Sequence, residues 1–143
     1  MSIPAILLPV FAQVALTVAL LLLMASRRLA AVRGREVRRE DVIAGQKNWP
    51  DRAQWASNAY SNQFELPVLF FALVPLAILT RKADALFVLM SWIFVAARFV
   101  QAAAYVTTNT LALRFPAFLA GAVALIAMWI VFAARILSAP LPA

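Results

Sequence analysis

Residues 57–84 read SNAYSNQFELPVLFFALVPLAILTRKAD. The stretch opens on amides and a carboxylate, Asn58, Asn62, Gln63 and Glu65. It then stays apolar to Leu79 and breaks at five polar or small residues, Thr80 to Asp84. A new apolar run starts at once. An apolar helix, a break too short to cross anything, and a second apolar helix make an antiparallel membrane hairpin.

The same signature lies on either side. The first span runs from about residue 3 to 26, with the core LLPVFAQVALTVALLLLMA. The second covers about 56–80, the third 84–106 and the fourth 112–137. The chain is 143 residues long, 65% hydrophobic and only 13% charged, where soluble domains carry about 25% charged residues. Its mean hydropathy is +0.88. The expected fold class is therefore all-α: one integral membrane four-helix bundle, residues 1–143.

Composition narrows the chemistry. There is no cysteine and no histidine. Disulfides, thiolate nucleophiles of the chain's own, Ser-His-Asp arrangements and cysteine or histidine metal sites are excluded. The six acidic residues form no metal-ligand cluster. Any reaction must run on carboxylate, arginine, tyrosine, hydroxyl and amide groups or on a bound cofactor.

Net charge is +7 with a pI near 11.4. Eight basic and four acidic residues fall between Arg27 and Arg52. This loop, about 27–55, is the topology signal, and it is expected to face the cytoplasm. Lipid head groups and topology explain the charge better than nucleic acid does. Four spans then put both termini on the periplasmic side. The first span lacks a basic leader and continues into SRRLAAVRGR, so it is expected to stay uncleaved. A compact chain without a separate targeting segment points to a bacterial inner membrane.

Local punctuation refines the picture. Ser26 to Val37 is read as an extension of the first helix that loosens at Gly34. Trp49 and Trp55 suit head-group depth. Trp49-Pro50-Asp51 reads as a turn before a new helix. Pro67 and Pro75 should bend or locally open the second span. Gly121 permits close helix contact. The tail SAPLPA reads as a frayed end. Gln13 is expected to hydrogen-bond a neighbouring helix, the alternative being that it lines a site.

The buried charges need partners. Glu65 lies 15 residues before Thr80, and Arg98 lies 14 residues after Asp84. At 1.5 Å per residue both sit roughly 21–23 Å from that turn. An unpaired charge in hydrocarbon costs several kcal/mol, so Glu65 and Arg98 read as a plausible pair, either a structural ion pair that fixes helix register or two residues lining a polar cavity open to the cytoplasmic face. Spacings of four and three put Asn58, Asn62 and Glu65 on one helix face; Arg98, Gln101 and Tyr105 follow by three and four. Two polar stripes toward the basic end suggest the wall of a site for a polar ligand. Arg98 and Arg114 suit a carboxylate.

With these motifs in place, the chain resembles the membrane-associated proteins of eicosanoid and glutathione metabolism, the MAPEG superfamily. The carriers of the resemblance are N-Q-F-E, Asn62 to Glu65, then Arg98 and Tyr105 in RFVQAAAY, then Arg114 nine residues on, ordered along four spans. The resemblance implies a homotrimer that binds glutathione at subunit interfaces while lipophilic substrates arrive through the bilayer. It implies a transferase or peroxidase acting on lipophilic electrophiles or hydroperoxides. Asn62 and Glu65 would hold polar parts of glutathione, and Arg98 and Tyr105 would shape its pocket. Asn58 and Gln101 complete the expected binding set, with Arg114 as the thiol-activating residue. The sequence departs from related enzymes at Asn58 and Ser61, where they carry arginines, and at Phe115, where one branch has serine. The other reading left open is a non-catalytic membrane protein of this fold, binding lipid or another small molecule or acting as a scaffold.

Overall fold

The computed structural model describes residues 1–38, 40–43 and 48–138. The expectation of a frayed tail falls mostly on 139–143, outside the described residues. The elements are α1 (Ile3–Arg33), a one-turn α2 (Glu40–Ile43), α3 (Asp51–Ser61), a 3₁₀ turn (Asn62–Phe64), α4 (Leu66–Leu79), α5 (Ala85–Val106) and α6 (Leu111–Leu137). Four helical stretches are long and apolar enough to span a membrane: Ile3–Arg33, Asp51–Leu79, Ala85–Val106 and Leu111–Leu137. The protein is an all-α integral membrane bundle.

The termini of the helices follow from local chemistry. Pro4 stands in the first turn of α1, where its missing N–H is no loss. Pro50 caps α3, its carbonyl accepting from Ala53 and Gln54 at 2.9 Å each. Asp84 caps α5 by accepting from the Phe87 amide at 2.9 Å. Helices α1 and α4 both end in six-to-one turns: Glu36 N–H donates to Ala31 O at 3.0 Å, and Lys82 N–H to Ala77 O at 2.9 Å. The left-handed residue in each turn is an arginine, Arg35 and Arg81, both at φ 56°.

Two apolar clusters make the core. The larger joins Ile6 of α1, Phe70, Leu73, Val74 and Ala77 of α4, Phe87, Phe94 and Val95 of α5, and Ala124, Leu125 and Met128 of α6. The smaller joins Leu16, Leu20, Ala59 and Ala102. Helices α5 and α6 lie antiparallel across a short link. Gly121 brings them together: a Cβ there would stand 3.4 Å from Ala97 Cβ and 3.9 Å from Arg98 Cδ. Large apolar side chains such as Leu8, Phe11, Leu119, Val123, Ile126 and Ile130 point outward, as a lipid-facing surface requires.

Candidate functional site

A polar layer separates the two apolar clusters. On α1, Gln13 lies between Ile6 and Leu16. On the second span Gln63 lies between Ala59 and Phe70, and on α5 Arg98 and Gln101 lie between Val95 and Ala102. All four polar side chains are buried. Gln13 is ten residues into α1, about 15 Å along it and so near mid-bilayer.

The layer exists because the second span is interrupted. Pro67 has no N–H for the carbonyl four residues back and crowds it. The chain tightens into the 3₁₀ turn at Asn62–Phe64, passes through Glu65 at φ −99°, ψ −106°, and resumes as α4. Pro75, by contrast, is accommodated inside α4. Carbonyl groups at the break need donors in a medium without water. Arg98 Nη2 donates to Asn62 O at 2.6 Å. Gln63 Nε2 donates to Ala59 O at 2.8 Å, and Gln13 Nε2 donates to Gln63 Oε1 at 2.9 Å. Arg98 Nη1 also donates to Gln101 Oε1. Gln13 thus meets the expectation that it bonds a neighbouring helix.

This geometry corrects two sequence expectations. Glu65 and Arg98 do not form an ion pair: the sole ion pair among the described residues joins Arg135 and Asp84. Arg98 donates to a carbonyl and an amide, while Glu65 is exposed and its carboxylate makes no ion pair among the described residues, although it lies near enough to Arg98 for their charges to interact. Nor do Asn58, Asn62 and Glu65 share one continuous helix face, because the helix ends between them.

They nonetheless border one opening. A polar cleft of about 450 Å³ is lined by Arg28, Trp49, Gln54, Ser57, Asn58, Ser61, Asn62, Glu65 and Tyr105. A second groove of about 170 Å³ shares Asn62, Glu65 and Tyr105 and adds Gln101, Arg114, Phe115 and Phe118. Arg98 lines neither and stands behind the wall. Arg114 is held in place at the junction. Its Nη1 donates to Asn109 Oδ1 at 2.6 Å and its Nη2 to the Tyr105 hydroxyl at 2.7 Å. Its guanidinium carbon lies 3.7 Å from the Tyr105 ring centre, a cation–π stack. Arg114 Nε is buried without a partner.

Arg28 was not among the candidates read from the sequence. Its Nη2 donates to Ser57 Oγ at 2.7 Å, and its guanidinium lies 4.9 Å from the Trp49 ring centre. It therefore brings a cation into the cleft where Asn58 and Ser61 bring none. In the sequence it is one of eight basic residues in a loop, and charge counting treats them alike. Gln63 is likewise not among the site candidates read from the sequence; its place four residues before Pro67, whose missing N–H leaves the Gln63 carbonyl without its helical donor, is the signal that points to it.

At the other end of the bundle, Arg135 Nη2 contacts Asp84 Oδ2 at 2.7 Å. This bond, with the Phe87 amide, holds the Asp84 carboxyl below the usual carboxylate range. Among the described residues no group of three histidine, cysteine, aspartate or glutamate side chains converges as a metal site.

Compared with known proteins, residues 6–134 match the family model described as the MAPEG family. No curated protein and no solved structure gives a match.

Proposed function

Because the chain belongs to the MAPEG family, we propose that it is a glutathione-dependent membrane enzyme, a transferase or peroxidase acting on lipophilic electrophiles or hydroperoxides. The observation that carries this reading is the junction of the two openings. A polar cleft fit for a peptide-like ligand shares Asn62, Glu65 and Tyr105 with a groove edged by Phe115 and Phe118. A water-soluble thiol and a lipid-borne substrate could meet there.

The donor set fits glutathione, a tripeptide with two carboxylates, one ammonium and a thiol. Glu65 offers a carboxylate that is not held in an ion pair to the ammonium, and Arg28 a guanidinium to a carboxylate. Asn58 and Asn62 offer amides, although Asn58 Oδ1 already accepts from Gln54 Nε2 at 2.7 Å. When bound, glutathione would supply the nucleophilic sulfur that this cysteine-free chain lacks. Arg114, pinned by Tyr105 and Asn109, places a positive charge at the junction, which favours thiolate over thiol. Arg98 acts as a positioning residue, fixing the Asn62 carbonyl and hence the cleft wall. The cleft is open on one side, which is compatible with a homotrimer closing it from a neighbouring subunit. The basic end faces the cytoplasm of a bacterial inner membrane, with both termini periplasmic.

The test is calorimetric titration of reduced glutathione into the detergent-solubilised protein, with thiolate absorbance followed in parallel. Binding should be weak, about millimolar, and should tighten when Asn58 and Ser61 are both changed to arginine. Glu65→Gln should weaken it. If the double arginine variant binds no better and neither protein shows thiolate, the glutathione reading fails. The non-catalytic lipid-binding or scaffold reading would then stand. It is favoured by one observation: the cleft is lined by Asn58 and Ser61 at the positions where the related enzymes carry arginines.

A further inference from the structure

A third opening lies on the other flank of α3, outside the site just described. It has a volume of about 460 Å³ and is bordered by the end of α1, the start of α3 and the last residues of α5. Its charged walls are Arg27, Arg52 and Glu36, with Trp55 beside them and alanine and valine side chains, including Ala31 and Val106, lining the rest.

Arg27 is fixed there. Its Nη1 donates to Arg52 O at 2.9 Å and its Nη2 to Val106 O at 3.0 Å. Those acceptors are neutral carbonyls, so its charge stays uncompensated. Arg52 and Glu36 are exposed, and among the described residues none of the three makes an ion pair. Two guanidinium groups and one carboxylate thus border a common space without neutralising one another. Their complement is a zwitterion: a phosphodiester for the arginines and a hydrogen-bonding ammonium for Glu36. The opening sits at the basic end of the bundle, where α1 leaves its apolar run. Trp55 is half-buried there, as befits a side chain at a membrane–water boundary. Apolar wall residues would meet the acyl side of a lipid.

We infer that this cavity binds the head group of phosphatidylethanolamine, with Arg27 and Arg52 on the phosphate and Glu36 on the primary ammonium. Phosphatidylcholine presents the same phosphate but a quaternary nitrogen that has no N–H to donate. Phosphatidylglycerol presents no cation at all. The site therefore discriminates through Glu36 and holds through the arginines. It is independent of glutathione binding.

The experiment is native mass spectrometry of the full chain released from detergent, after equilibration with each of the three lipids in turn. The wild type should retain phosphatidylethanolamine about tenfold or more over phosphatidylcholine, the value of one charge-assisted hydrogen bond. Glu36→Gln should abolish that preference while leaving phosphatidylcholine binding unchanged. Arg52→Gln should weaken all three lipids. Glu36→Lys should reverse the order in favour of phosphatidylglycerol, a gain that damage to the fold would not produce. Retention of the ethanolamine preference by both Glu36 variants overturns the assignment. Displacement of the lipid by an equal concentration of soluble phosphoethanolamine overturns the lipid as the source of the head group.

Discussion

Replacing Gln63 by leucine should cost more stability than replacing its partner Gln13, although both amides are buried and share one hydrogen bond. Gln63 gives its Nε2 to the Ala59 carbonyl and its Oε1 to Gln13. Gln63→Leu therefore leaves the Gln13 Nε2 without an acceptor. The Gln13 Oε1 already has no partner, so the whole amide would be orphaned in the apolar interior. A buried polar group left unsatisfied costs about 1–3 kcal/mol. Gln13→Leu behaves differently. It orphans the Gln63 Oε1 but removes the unpartnered Gln13 Oε1, and Gln63 Nε2 keeps Ala59. The two effects nearly cancel, so its cost should stay within about 1 kcal/mol. The double leucine variant should be less destabilised than Gln63→Leu alone. Hydrogen bonds between membrane helices couple by about 0.6 kcal/mol on average and about 1.7 at most, and the cycle should fall in that range. The assay is reversible unfolding in mixed micelles, titrated with sodium dodecyl sulfate, on the four proteins. Equal costs for the two single changes, or strict additivity in the double, would refute the account of the polar layer.

Other outcomes follow from the same structure. Arg35→Gly and Arg81→Gly should each stabilise the protein by about 1 kcal/mol in that assay, since a left-handed conformation costs a non-glycine residue about 1–2 kcal/mol and glycine little. Asp84→Asn should keep the α5 cap, because asparagine caps as well as aspartate, yet lose the bond to Arg135 that lowers the carboxyl's pKa. The stability from that bond is full above the pH of an ordinary aspartate, about 3.9, and is lost as pH falls through the lower folded value. Thermal melts across that acid range should slope for the wild type and flatten for Asp84→Asn. Gly121→Ala should fold normally, but Gly121→Leu should lose about 1–3 kcal/mol by overpacking against Ala97, Phe94 and Arg98.

The sequence by itself determined the spans. Runs of apolar residues bounded by Thr80–Asp84 and Thr107–Thr110 leave only hairpin connections, because backbone in lipid must satisfy its own hydrogen bonds. The number and order of the apolar helices, the extension of α1 toward Gly34, the start of α3 after Pro50 and the membership of Asn58, Asn62, Tyr105 and Arg114 in one region were legible from pattern and spacing. The partners were not. Pairing Glu65 with Arg98 by depth assumed a continuous helix, and the 3₁₀ turn at Asn62–Phe64 removed that premise. Once Pro67 withholds its N–H, the carbonyls near the break compete for donors, and a neutral acceptor beside Arg98 captures the guanidinium that a carboxylate was expected to take. Arg28 illustrates the same limit from the other side. An arginine three residues past the long apolar core of α1 has no direction in sequence. Only the packing of α3 against α1, with Ser57 and Trp49 brought alongside, turns its head group into the cleft. Spacing fixes which residues share a helix, but the choice among competing hydrogen-bond acceptors is made by whichever side chains the tertiary fold brings within about 3 Å.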